Sequence, residues 1–231
     1  MNKYAVAGLI SLTLTASAQV SAAQDPAGKT TGPTTPWYAG IGLGKSISSG
    51  IPNQTIGNIN STISVPSGAT FTLIDQDKRS TGAKLVAGYT FGPNFAVEGG
   101  YVSLGKTTVN MDFRAGLVSV NTLQAEYKMS AVFVDALGML PLNDKWSLLG
   151  RVGVSYSRVS ANVKGSPLTL AISNNDKSES KIHEKFGAGV DYNLTPVFTV
   201  RAEWERYKMS DPLGDGTLHV DAALLSVLYH F

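Results

Sequence analysis

The sequence predicts an all-β chain, an eight-stranded antiparallel up-and-down transmembrane β-barrel, and three observations carry that prediction. Apolar residues alternate with small or charged ones at period two in segment after segment. The connections between segments alternate between short and long, which is the layout of an outer-membrane barrel. Aromatic residues collect at one end of the segments, where amphipathic rings meet a membrane interface.

The 231 residues suit a single domain. A net charge of +2 without a basic block argues against nucleic acid as a partner. The absence of cysteine removes disulfides, zinc clusters and thiol chemistry together. No cofactor-binding or metal-ligating pattern stands out. Lys3, the apolar run Ala5 to Ala16 and the small residues Ser21, Ala22 and Ala23 have the order of a secretory signal peptide over residues 1–23. Residues 24–36, with three prolines and no apolar period, read as a flexible periplasmic tail, and residues 37–231 as the barrel.

The first strand opens at Trp37, with Ala39, Ile41 and Leu43 on one face and Gly40, Gly42 and Gly44 on the other. The second shows Leu85, Ala87, Tyr89 and Phe91, then turns at Gly92-Pro93-Asn94. The third carries Phe95, Val97, Gly99 and Tyr101 against Glu98 and Gly100. The fourth runs from Tyr127 to Leu140, turning at Asn143-Asp144 into a fifth that starts at Trp146 and sets Leu148, Val152, Val154 and Tyr156 against Ser147, Arg151, Gly153 and Ser155. The sixth shows Phe186, Ala188, Val190 and Tyr192 before a turn at Thr195-Pro196. The seventh sets Phe198, Val200, Ala202 and Trp204 against Thr199, Arg201 and Glu203. The eighth alternates Ala223, Leu225, Val227, Tyr229 and Phe231 with Leu224, Ser226, Leu228 and His230. The long connections cover 45–81, 106–126, 161–181 and 210–218.

A lower aromatic girdle is expected from Trp37, Tyr89 or Phe91, Phe95, Trp146, Tyr192, Phe198, Tyr229 and Phe231, and an upper one from Tyr101, Tyr156, Phe186 and Trp204. A soluble sandwich would give rings no reason to gather at one end.

Trp37-Tyr38-Ala39-Gly40, Val97-Glu98-Gly99-Gly100-Tyr101, Val190-Asp191-Tyr192 and Val200-Arg201-Ala202-Glu203-Trp204 resemble, in order and spacing, strands of the transmembrane barrel of the outer membrane protein A family. The resemblance implies an ion pair in the lumen between Glu98 and Arg201, with Asp191 and Arg151 also lumenal. It leaves the partner of Asp191 open, with Arg151 as the candidate. The chain departs from that family at Gly42, where a lumenal lysine can stand, and at Asp135, near where a basic residue is expected. Nothing follows Phe231, so the expectation is a stand-alone barrel without a peptidoglycan-binding domain. It is similar to small barrels associated with adhesion and resistance to host defence.

The alternation points Glu98, Asp135, Arg151, Asp191, Arg201, Glu203 and Lys84 inward. An eight-stranded barrel has room for little beyond its own side chains, so a paired charge network that plugs the lumen is preferred to a pore for ions or small solutes. The phosphate-loop match at Ala39 to Ser46 fails on context, since its glycines alternate along a strand rather than open a helix. An outer-leaflet lipid enzyme is a third reading. It rests on His183 and His219 near strand ends, without a diagnostic Ser/His/Asp spacing.

The expected role is structural or surface-interacting, through long loops that carry Ile51, Ile56, Ile59 and Ile63 in the first and Val109, Met111 and Phe113 in the second. The expected partners are outer-membrane lipid and lipopolysaccharide, a surface ligand at the loops, and the barrel assembly machinery, whose signal the series ending at Phe231 resembles. The expected state is a monomer.

Overall fold

A computed structural model describes residue 33 and residues 35–49, 69–115, 118–164, 177–210 and 217–231. The expected signal peptide, most of the expected tail, and Ile51, Ile56, Ile59 and Ile63 lie outside these residues.

The strands are β1 (Trp37–Ser48), β2 (Ala69–Asp77), β3 (Arg79–Thr90), β4 (Phe95–Ala115), β5 (Val118–Pro141), β6 (Trp146–Lys164), β7 (Lys177–Asn193), β8 (Phe198–Ser210) and β9 (Thr217–His230). All pairings are antiparallel. The sheet runs β3-β1-β9-β8-β7-β6-β5 and closes because β4 pairs with both β3 and β5. Eight strands therefore ring the lumen, as the alternation predicts. The ninth segment, β2, continues β3 beyond Lys78 and, among the described residues, pairs with β4.

The tight turns form where the sequence supplies them. Gly92 takes a positive φ of 92°, a conformation that suits a residue without Cβ, and Phe91 N donates to Phe95 O at 2.7 Å. Asn143 Oδ1 accepts from the amides of Lys145 and Trp146, both at 2.9 Å, and Thr195 Oγ1 accepts from Phe198 N at 3.0 Å. These turns and the ends of β1 and β9 share one end of the barrel, the turn end. The long connections share the other, the loop end.

Closure rests on β1 and β9, paired from Tyr38↔His230 to Ser48↔Val220, which leaves neither with an open edge. Outward apolar residues such as Ile41, Leu43, Leu85, Val152 and Leu225 are exposed, the inverse of a soluble fold and the pattern of a wall facing lipid. From Trp146 to Tyr156 the wall spans about 33 Å along the strand. A tilt of about 40° reduces that to about 25 Å of apolar height.

The strands outrun the expected boundaries at the loop end. Most of the expected loop 106–126 is strand, since β4 reaches Ala115 and β5 begins at Val118. Its alternating Val109, Met111 and Phe113 continue the ladder rather than ending it.

Candidate functional site

Each of the expected lumenal charges is buried: Glu98, Asp135, Arg151, Asp191, Arg201, Glu203 and Lys84. Lys185 and Glu205 join them, so four cations face five carboxylates. The hydroxyls of Tyr38 and Tyr207 donate to Glu98 and Glu205 and supply protons the cations do not.

Arg201 lies opposite Asp191 across the β7–β8 ladder and grips it twice, Nε to Oδ1 at 2.7 Å and Nη2 to Oδ2 at 2.8 Å. Its Nη1 donates to Glu98. The partner of Asp191 is thus Arg201 and not Arg151, because the turn at 194–197 sets the register that puts Arg201 across from it. Arg151 reaches elsewhere, with Nη2 at 3.0 Å from Glu98 and 2.7 Å from Glu203, and Nη1 at 3.2 Å from Asp135 and close to Glu205. Lys84 Nζ lies 2.9 Å from Glu203 and 2.7 Å from Glu205, and Lys185 Nζ lies 2.7 Å from Asp135. The acid at 135 is therefore matched from β6 and β7. The lumen's two lysines come from β3 and β7, not from position 42.

Missing side chains make room for this network. A Cβ on Gly153 would sit 2.3 Å from Asp135 Oδ1, and one on Gly88 would sit 2.4 Å from the Tyr38 ring. At the turn end His230 Nε2 and Thr199 Oγ1 share a 3.1 Å hydrogen bond beneath the charges.

Toward the loop end the lumen changes character. The Phe133 ring lies 4.0 Å from Lys185 Nζ and 5.1 Å from Lys84 Nζ, and caps the charged layer. Beyond it Val102, Leu104, Met129, Val159, Met209, Leu218 and Val220 pack together, all buried. The outer wall inverts at the same level, as Val132 gives way to Ser130 and Lys128, Tyr156 to Arg158, and Trp204 to Arg206 and Lys208. Apolar-out becomes apolar-in, as expected where lipid ends and water begins. Lys185, Glu205 and Tyr207 are inward residues outside the expected set, and continuing the alternation past the apolar series is the signal that finds them. The apolar packing around them was not expected.

The expected lower girdle lines the outer wall in neighbouring pairs, Trp37–Tyr89 at 4.9 Å, Trp146–Tyr192 at 4.6 Å, Phe198–Tyr229 at 5.3 Å and Tyr229–Phe231 at 6.1 Å between centroids. Phe95 is exposed beside them, and Phe91 rests on Tyr89. Phe186 and Trp204 pair at the upper level, 5.8 Å apart.

The β7–β8 ladder ends at Lys185↔Tyr207, although β7 begins at Lys177 and β8 continues to Ser210. Side chains bridge the parted strands: His183 Nε2 and Ser210 Oγ are 3.0 Å apart, and Lys208 Nζ donates to Glu184 at 2.9 Å. His219 lies on β9 next to Lys208 and is not brought to this pair. Among the described residues no group of three or more acidic or histidine side chains is arranged to hold a metal. None of the buried charges lines the surface depressions on the wall around Lys45 and Arg79 and around Phe95 and Leu148.

Residues 8–231 match the model of the outer membrane protein beta-barrel domain family. No curated protein matches the chain. Among solved structures it is similar to Neisserial surface protein A, with 12% identity over 84% of this chain and 97% of that one, at a TM-score of 0.50. It is also similar to Ail, the attachment invasion locus protein of Yersinia pestis, in complex with the heparin analogue sucrose octasulfate, at 20% identity over 85% and 99% of the two chains and a TM-score of 0.45. OprG from Pseudomonas aeruginosa gives 14% identity over 88% and 100%, with a TM-score of 0.45.

Proposed function

We infer the role of this barrel from one premise: the chain belongs to the outer membrane protein beta-barrel domain family, and it resides in the outer membrane of a Gram-negative bacterium. The reading is a monomeric, lumen-filled barrel that acts at the cell surface through its loop-end extension. The termini and tight turns face the periplasm and the long connections face outward, the usual sense of such barrels.

One observation carries this reading. The β4–β5 hairpin runs fourteen residues past the outward Tyr101 and Val132, and β2 widens it to three strands. At about 3.3 Å per residue that is roughly 45 Å of strand beyond the lipid-facing wall. Its register aligns Phe71 with Phe113, and Leu73 with Met111 and Leu123. The intervening positions align Thr72 with Asp112 and Thr122. A three-stranded sheet continued above the membrane suits protein contact better than solute passage.

The filled lumen supports the same reading over a pore. Ion pairs block the turn-end half and apolar side chains block the loop-end half. The His183–Ser210 pair is read as a latch across the β7–β8 gap rather than as an acyl-transfer centre, because no carboxylate orients the histidine among the described residues.

The test compares cells displaying the intact barrel with cells displaying a version whose residues 109–125 are replaced by a short turn. Both are applied to immobilised extracellular-matrix proteins and to host cells. Binding by the intact form that disappears with the extension is the expected result. Binding that survives its removal overturns the assignment.

A further inference from the structure

Directly above the lipid-facing wall, β4, β5 and β6 carry an arrangement that an isolated sheet would avoid. Lys106 and Lys128 stand opposite each other in register, both on the outer wall, with side chains 58% and 61% exposed. Like charges directly opposed across two strands repel. One carboxylate serves both, as Glu126 Oε1 lies 3.3 Å from Lys106 Nζ and 3.7 Å from Lys128 Nζ. Arg158 is on the next strand, one outward step nearer the lipid, and its Nε donates to Ser178 Oγ at 3.2 Å. It forms no ion pair among the described residues. Three cations thus share a single anion.

The backbone is shaped to produce this juxtaposition. At Gly105, with φ of 78°, β4 takes an extra residue and its register shifts between Ser103 and Gly105. Without that bulge the alternation from Tyr101 would turn Lys106 into the lumen. With it, Thr107 is buried and Lys106 points outward opposite Lys128. A Cβ at position 105 would lie 2.7 Å from the carbonyl oxygen of Thr81, so the bulge depends on glycine.

The opposite flank is a built-in comparison. At the same level Arg206 is neutralised by Asp221 through two bonds of 2.7 and 2.8 Å, and Lys208 by Glu184. On the β7–β9 flank these cations are thus each matched by a carboxylate, whereas Lys106, Lys128 and Arg158 on the β4–β6 flank share one. Just below it lie the lipid-facing Tyr101, Val132, Tyr156 and Ile182, in register with one another. Half-buried Ser103, Ser130 and Ser160 separate the cations and offer hydroxyls.

We propose that Lys106, Lys128 and Arg158 form a binding site for the phosphate groups of a phosphorylated lipid headgroup in the adjacent leaflet. An anion between the two lysines removes their repulsion, the arginine supplies directional hydrogen bonds, and the headgroup's acyl chains continue down the apolar wall. The site deepens the proposed role by giving the barrel an annular lipid, and it relies on the outward orientation of the loop end.

The test uses refolded full-length barrel in detergent, where orientation and the surface ligand play no part, so its failure is distinct from failure of the adhesion reading. Native mass spectrometry measures retention of diphosphoryl lipid A, of its dephosphorylated counterpart, and of diphosphoryl lipid A challenged with inorganic phosphate. The wild type is expected to retain the phosphorylated lipid selectively, with inorganic phosphate displacing little of it. K106Q/K128Q/R158Q is expected to bind about a hundredfold more weakly, from roughly one interaction increment per cation. R206Q, on the balanced flank, is expected to bind as the wild type does. Equal retention by the triple variant, equal retention of the dephosphorylated lipid, or ready displacement by phosphate each overturns the proposal. If the triple variant does not refold, K128Q alone decides: about a fivefold loss is expected, and no loss overturns the site.

Discussion

Arg201 holds Asp191 by two parallel bonds across the β7–β8 ladder while its third nitrogen reaches Glu98 on β4, half the barrel away. One side chain thus ties a local hairpin to a strand across the lumen. Replacing it strands the buried Asp191 and takes from Glu98 one of its two cations, leaving Arg151. Arg201→Met is expected to destabilise the barrel by about 3–5 kcal/mol, read from the urea midpoint in lipid vesicles. A cost near zero would mean the carboxylates find water or protons without it.

The identity of the pair makes a sharper prediction. A double-mutant cycle on Arg201 and Asp191 should give a coupling energy above about 1 kcal/mol, and the cycle on Arg151 and Asp191 a smaller one. The reverse order would restore Arg151 as the partner.

That pairing is legible in the sequence. A hairpin turning at Thr195-Pro196 places residues five before and five after Pro196 opposite each other, which are Asp191 and Arg201. Lys185 and Glu205 are harder to read for a related reason. The outward series ends at Phe186 and Trp204, whereas the inward series runs one step further toward the loops. The wall itself was plain because lipid imposes one apolar face on every strand. The loop-end packing was not, because Tyr127, Met129 and Met209 alternate with Lys128, Ser130 and Lys208 in the opposite phase. Out of the bilayer that phase is the ordinary soluble one, so the rule that puts apolar residues outward gives no expectation of an apolar interior there.

Lumenal glycines set a steric limit. Gly88→Ala places a methyl 2.4 Å from the ring of Tyr38, which is buried and bonded to Glu98. A loss of about 1–3 kcal/mol is expected. Gly150→Ala, with nothing near its Cβ, should be close to neutral in the same urea titration. Equal effects would show that the lumen is looser than the packing implies.

The parted strands predict uneven protection. Amides of residues 181–184 that point toward β8 should exchange with deuterium faster than those of residues 186–191, which sit in a two-sided ladder. His183→Ala removes one of the two side-chain bridges and should speed that exchange further. Uniform protection along β7 would show that the gap is closed in solution.

Filling of the lumen is the claim on which the surface role depends, and planar-bilayer recording tests it most directly. Refolded wild-type barrel is expected to give no reproducible conductance steps, because buried ion pairs and, above them, buried apolar side chains occupy the lumen. Discrete steps from the wild type that are abolished or altered by Arg201→Met or Glu98→Gln would contradict the account and make the lumen a pore.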